Sequence, residues 1–158
     1  MTIRVGYGYD VHRLAENRDF WMGGVKIDHH VGLLGHSDAD VLIHAICDAV
    51  LGAANMRDIG FHFPDTDPKY KGADSKVLQR TIELIATKGY RVGNVDCTIC
   101  AERPKLNPHV EAMRKCLAPL MQVDEDAISI KATTSERMGF VGREEGIAAY
   151  CVALIEKD

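Results

Sequence analysis

Asp10 and His12 stand two residues apart at the end of an apolar stretch, Ile3-Arg4-Val5-Gly6-Tyr7-Gly8-Tyr9. That stretch reads as a strand, and residues i and i+2 of a strand point to one face. An imidazole and a carboxylate therefore look the same way from one rigid edge. His44 lies inside the next strongly apolar segment, Val41 to Ala54, which reads as a helix. One carboxylate and two imidazoles with a vacant fourth position commonly hold a catalytic zinc. Such an ion acts as a Lewis acid toward a water or a phosphate oxygen. Spacing alone leaves a plainer account open: two strand-end surface residues and a helix histidine with an ordinary partner. Asp40 and Asp48, four residues either side of His44, are the candidates to hold its tautomer.

Other groups could serve phosphate chemistry. Thr133-Thr134-Ser135-Glu136 offers three hydroxyls and a carboxylate after a strand, enough to donate to phosphate and hold a hard cation. Thr133 and Glu136 also have the spacing of a helix capping box. Ala101 to Leu106 could receive a nucleotide through backbone groups and Lys105, or could be a plain strand-to-helix turn. His36-Ser37, Asp58-Ile59-Gly60 and Phe63-Pro64-Asp65-Thr66-Asp67 are rich in acids, whose natural partner is a polyol rather than bare phosphate. The same residues are ordinary turn formers. Phe140 and Arg143 lie in a polar loop. Cys97 and Cys100 fall in a predicted strand that sends them to opposite faces, which argues against a two-thiol zinc site.

These groups need elements to carry them. With 158 residues the chain suits one domain, residues 1-158, able to bury about 70% of its unfolded surface. Its net charge of -4 argues against a general nucleic-acid binder. No apolar run approaches the roughly 20 residues of a membrane span, and no secretory signal is evident. A cytoplasmic setting is expected, or a plastid-type organelle for a processed eukaryotic form. Five cysteines without framework spacing suit reduced thiols. Strands are predicted at 3–11, 90–101, 128–132 and 146–155, the last suited to burial on both faces. Phe20-Trp21-Met22 and Val25-Lys26-Ile27 read as short strands, and residues 29–35 as a loop. Helices are predicted from Val41, capped by Ser37 or Asp38, from Asp74 or Ser75, and from Asn107-Pro108. The expected fold is α+β: a two-layer α/β sandwich with a mixed four-stranded sheet and helices on one face.

Taken together, the residues resemble the 2-C-methyl-D-erythritol 2,4-cyclodiphosphate synthase family. The resemblance rests on Gly-Tyr-Asp-Val-His (8–12), Gly-His-Ser-Asp-Ala-Asp-Val (35–41), Asp-Ile-Gly (58–60), Phe-Pro-Asp-Thr-Asp (63–67), Pro-Lys-Leu (104–106) and Lys-Ala-Thr-Thr (131–134). Glu136, Gly139-Phe140, Gly142-Arg143 and Glu145-Gly146 complete an ordered set spanning nearly the whole chain. It implies a homotrimer around a three-fold axis with active sites between subunits. It implies zinc on Asp10, His12 and His44, and magnesium or manganese held by Glu136 through a diphosphate. The substrate would be 4-diphosphocytidyl-2-C-methyl-D-erythritol 2-phosphate, cyclised with release of CMP. His36 and Thr134 would stabilise the transition state. His36, Ser37, Asp58 to Gly60 and Phe63 to Asp67 would hold the erythritol phosphate part. Ala101, Glu102, Arg103, Pro104, Lys105, Leu106, Asn107 and Thr133 would hold the cytidine diphosphate part from a neighbouring subunit, with Ser135 in place of a common threonine. Phe140 and Arg143 would lie near an axial cavity where family members can hold an isoprenoid diphosphate; Tyr150 stands there in place of a common glutamate. A zinc-dependent phosphohydrolase and a non-catalytic trimeric metabolite-binding protein are the alternatives.

Overall fold

The computed structural model describes residues 1–64 and 73–158. Four strands lie in chain order before the first helix: β1 (Thr2–Ala15), β2 (Phe20–Met22), β3 (Val25–Ile27) and β4 (Gly32–Leu34). Then come α1 (Val41–Ala53), α2 (Ile59–His62), α3 (Asp74–Ala86), β5 (Arg91–Cys100), α4 (Val110–Met121), β6 (Ile128–Thr133), α5 (Gly139–Gly142) and β7 (Gly146–Lys157). β2 and β3 pair as the small hairpin their sequence predicts.

Among the described residues the main sheet has five strands in the order β4-β1-β7-β5-β6, one more than expected. The addition is β4, three residues within the stretch read as a loop. It is too short to show a period and forms only because Arg13 to Ala15 at the far end of β1 offers it an edge. All pairs are antiparallel except β5 with β6, which α4 joins as a crossover. The helices pack on one face, so the two-layer reading holds.

That inner face is unusual on β1, where the buried positions are Gly6 and Gly8. A Cβ at Gly6 would sit 1.9 Å from the Ala49 carbonyl, and one at Gly8 2.0 Å from that of Ala45. α1 therefore lies backbone to backbone on β1, glycine against alanine. The opposite face of β1 carries Ile3, Val5, Tyr7, Tyr9 and Val11, which are 55, 66, 62, 43 and 40% exposed. β7 is not buried on both sides as its composition suggests: Val152 is open on this same outer face. Its inner face, with Ile147, Ala149, Cys151, Ala153 and Ile155, joins the core beneath the helices.

α1 is capped by Asp40, not by Ser37 or Asp38. The buried Asp40 carboxylate accepts from the N–H of Ile43 at 3.0 Å. It also accepts from Gly23 and Gly24 at 2.9 and 2.7 Å, tying the hairpin to the helix. Asp74 and Ser75 lie inside α3 rather than capping it, and Ala73 takes the cap position. Asn107–His109 forms a tight turn leading into α4.

Candidate active site

β1 and α1 place the three predicted metal ligands together. Asp10 Oδ2 lies 2.9 Å from His12 Nε2 and 3.0 Å from His44 Nδ1, and the two nitrogens are 3.2 Å apart. A tetrahedron with bonds of about 2.0–2.1 Å has edges of roughly 3.3 Å, so the triangle fits one face of a zinc coordination sphere. Among the described residues these three are the group whose ligand atoms converge in this way. The tautomers suit the same purpose. His12 Nδ1 donates to the Leu34 carbonyl at 3.0 Å, leaving the Nε2 lone pair for an ion. His44 Nε2 faces Asp74 Oδ1 at 3.1 Å, so a proton held there lets Nδ1, which is turned toward Asp10, present a lone pair to an ion.

Asp74, which sequence reasoning took for a helix cap, is thus the partner sought at Asp40 and Asp48. It is buried, and its Oδ2 accepts the Asp40 N–H at 2.9 Å. Asp40 is occupied with its caps, and Asp48 accepts the Ile59 N–H at 2.9 Å. An acid at a helix start has a sufficient local explanation, so nothing in the sequence pointed Asp74 at a histidine 30 positions earlier.

The electrostatics of the triad favour a cation. Burial alone would depress His44, but the Asp10 and Asp74 carboxylates outweigh it and raise it to about 10. Burial likewise opposes ionisation of Asp10, yet hydrogen bonds from His12 and His44 bring it down to about 2. One carboxylate and two lone pairs so close together require a positive charge between them, supplied by a proton or a metal ion. The residues therefore fit a divalent metal.

A cavity of about 260 Å³ opens on the triad. His36, Ser37, Ile59, Gly60, Phe63 and Pro64 line it together with Asp74 and Val77. Asp58 stands just outside, capping α2 through the Phe61 N–H at 3.0 Å. Asp65, Thr66 and Asp67 fall outside the described residues. Ala101, Glu102, Pro104, Lys105, Leu106 and Asn107 line a second cavity of about 450 Å³ with Thr133 and Thr134. Arg103 faces a third, of about 600 Å³, with Glu102, Thr134 and Glu136. No residue of the metal cavity lines either of the others. Among the described residues, the two halves of the predicted site line separate cavities.

No capping box forms at Thr133 and Glu136. Thr134 Oγ1 accepts the Glu136 N–H at 3.3 Å instead, in a turn. Glu136 is not part of a three-residue metal group among the described residues, so a cation there would need oxygens from a ligand. Phe140 is 40% exposed and stands 3.5 Å from where a Cβ at Gly146 would be. Arg143 pairs with Glu145 at 2.8 Å. Tyr150 packs on Tyr9, ring centroids 5.1 Å apart. Cys97 is buried and Cys100 half-buried, on the opposite faces expected. No described helix is long and apolar enough to cross a membrane.

Residues 3–156 match the YgbB family model. A 2-C-methyl-D-erythritol 2,4-cyclodiphosphate synthase of Bacteroides thetaiotaomicron is 65% identical over 159 residues, with 100% of this chain and 100% of that protein covered. One from Parabacteroides distasonis is 65% identical over 158 residues, covering 99% of this chain and 98% of its own. Among solved structures, the bifunctional IspDF of Campylobacter jejuni superposes with a TM-score of 0.94 at 40% identity, over 99% of this chain and 43% of that longer one. The Plasmodium falciparum IspF complex with CDP superposes at 0.87 and 34% identity, over 99% of this chain and 97% of the other.

Proposed function

The chain belongs to the YgbB family, and on that premise we propose that it converts 4-diphosphocytidyl-2-C-methyl-D-erythritol 2-phosphate to 2-C-methyl-D-erythritol 2,4-cyclodiphosphate and CMP. It is an enzyme of the lyase class, acting in isoprenoid biosynthesis with a divalent metal. The observation that carries the reading is the convergence of Asp10, His12 and His44 beside the His36–Ser37 cavity. We take residues 1-158 as a single synthase domain, acting in the cytoplasm.

An oxygen of the substrate's 2-phosphate attacks the β-phosphorus, the bond from that phosphorus to the bridging oxygen breaks, and CMP departs with that oxygen. The reaction is intramolecular, so folding the substrate and neutralising its charge matter more than a strong nucleophile. Asp10, His12 and His44 would hold zinc, and Glu136 magnesium or manganese together with diphosphate oxygens; these ions supply Lewis acidity and screen phosphate repulsion. His36, Ser37, Asp58 to Gly60 and Phe63 to Asp67 orient the erythritol phosphate end. Ala101 to Asn107 and Thr133 hold the cytidine end, with Ser135 beside them. His36 and Thr134 donate to the oxygens whose charge grows in the pentavalent transition state. Phe140 and Arg143 would border an axial cavity for an isoprenoid diphosphate in the assembled trimer.

The two half-sites lie in separate cavities of one chain, and the outer face of β1 exposes a row of large apolar side chains. Both features support a homotrimer whose subunits complete each other's sites. Phosphorus NMR of a reaction run in 18O-water tests the reading. CMP and a cyclic diphosphate free of solvent oxygen are expected; label in the product would indicate a hydrolase. Binding of CDP without turnover would indicate a metabolite-binding protein. His44→Ala is expected to lose bound metal and activity with assembly intact, as read by metal analysis and sedimentation.

A further inference from the structure

β5 and β6 run parallel, with Cys100 opposite Thr133 and the Ala101 N–H on the Thr133 carbonyl at 3.0 Å. The segments leaving their ends therefore start side by side. Glu102 reaches across, its two carboxylate oxygens accepting from the backbone N–H of Ser135 at 3.0 Å and of Arg137 at 3.1 Å. These two donors flank Glu136. One residue on, Arg103 forks onto Glu144, with Nε to Oε1 at 2.7 Å and Nη2 to Oε2 at 3.0 Å. The loop from Thr134 to Glu145 is thus pinned near both ends by adjacent side chains of the other segment.

We propose that the side chains of Glu102 and of the Arg103–Glu144 pair are positioning groups, the backbone of residues 102 and 103 being what meets the cytidine end: together they set Thr134 and Glu136 against the cavity lined by Lys105 and Leu106. The proposal rests on the reading of that cavity as the cytidine diphosphate site. Stability does not account for the arrangement. Exposed ion pairs contribute little to folding. Glu144 also holds a left-handed backbone, φ 59°, that glycine would take without strain, and Glu136 and Arg137 do the same at 53° and 60°. The chain accepts three unfavourable backbone positions to keep this geometry. A bidentate fork fixes angle as well as distance, which suits a device for placement.

Glu144→Gly removes the fork and relieves the backbone; Glu102→Gln keeps the shape but retains a single acceptor. Thermal midpoint, CDP affinity, kcat and KM would be measured for wild type and both variants. Glu144→Gly is expected to keep or raise the midpoint and hold the CDP dissociation constant within about twofold, with kcat down about tenfold. Glu102→Gln should lower kcat by a similar factor. Unchanged kcat in both variants would overturn the proposal, as would a kcat loss that merely tracks a fallen midpoint. A wild type that neither binds CDP nor cyclises the substrate would overturn the functional reading itself, a result separable from the other two.

Discussion

Two carboxylates face the two nitrogens of His44, Asp10 at Nδ1 and Asp74 at Nε2. With a metal bound, each would do a different job: Asp10 would share the ion, and Asp74 would fix the ring so that the ion meets a lone pair. Asp74→Asn is expected to weaken zinc binding between about tenfold and a hundredfold with the fold intact, measured by competition with a chromophoric chelator. Retained affinity would reduce Asp74 to a packing role. The same charges give the metal-free protein a pH signature. His44 is raised in the folded state, so its contribution to stability is full below the ordinary imidazole value and is lost as pH rises through about 10. Asp10 is depressed, so its contribution is present above the ordinary carboxylate range and is lost as pH falls through about 2. Urea unfolding of chelator-treated protein should therefore weaken from neutral pH toward pH 10, and His44→Gln should flatten that limb.

The ligands meet because two elements meet. α1 approaches β1 closely enough only where Gly6 and Gly8 leave room for the carbonyls of Ala49 and Ala45. Gly8→Ala should push α1 outward, separate His44 from Asp10, and cost about 1–3 kcal/mol. Metal affinity would fall with the thermal midpoint; a variant that loaded metal normally would refute the coupling. Strand and helix periodicity made these elements legible, including the i, i+2 geometry of Asp10 and His12. Other features needed tertiary context. β4 exists only as a partner to Arg13–Ala15, and Asp40 rather than Ser37 caps α1 because the Gly23-Gly24 turn brings two more donors to it. Asp74 was hidden for the same reason: its role depends on a helix far away in the chain. The ordered motifs nevertheless marked part of the lining of each of the three cavities, His36 and Ser37 in one, Lys105 and Leu106 in the second, Thr134 and Glu136 in the third, while Asp74, Arg137 and Glu144 lay outside them.

At the scale of the whole molecule the outer face of the sheet is the surface through which subunits would meet. Tyr7→Lys would place a charge in the middle of the exposed row of β1 without touching the inner face. If subunits meet there, the sedimenting mass should drop from three chains to one. Cyclisation should stop while each chain still binds zinc; an unaltered mass would move the interface elsewhere. On β1 the even positions Gly6, Gly8, Asp10 and His12 face the helix side and the odd ones this face, interleaved as Tyr9, Asp10, Val11, His12. A codon lost within that run would exchange the two sets at one stroke, turning tyrosines toward the helices and sending the acid out to solvent. Natural variation in β1 should therefore proceed by replacement of single letters, with insertions and deletions confined to the loops beyond it.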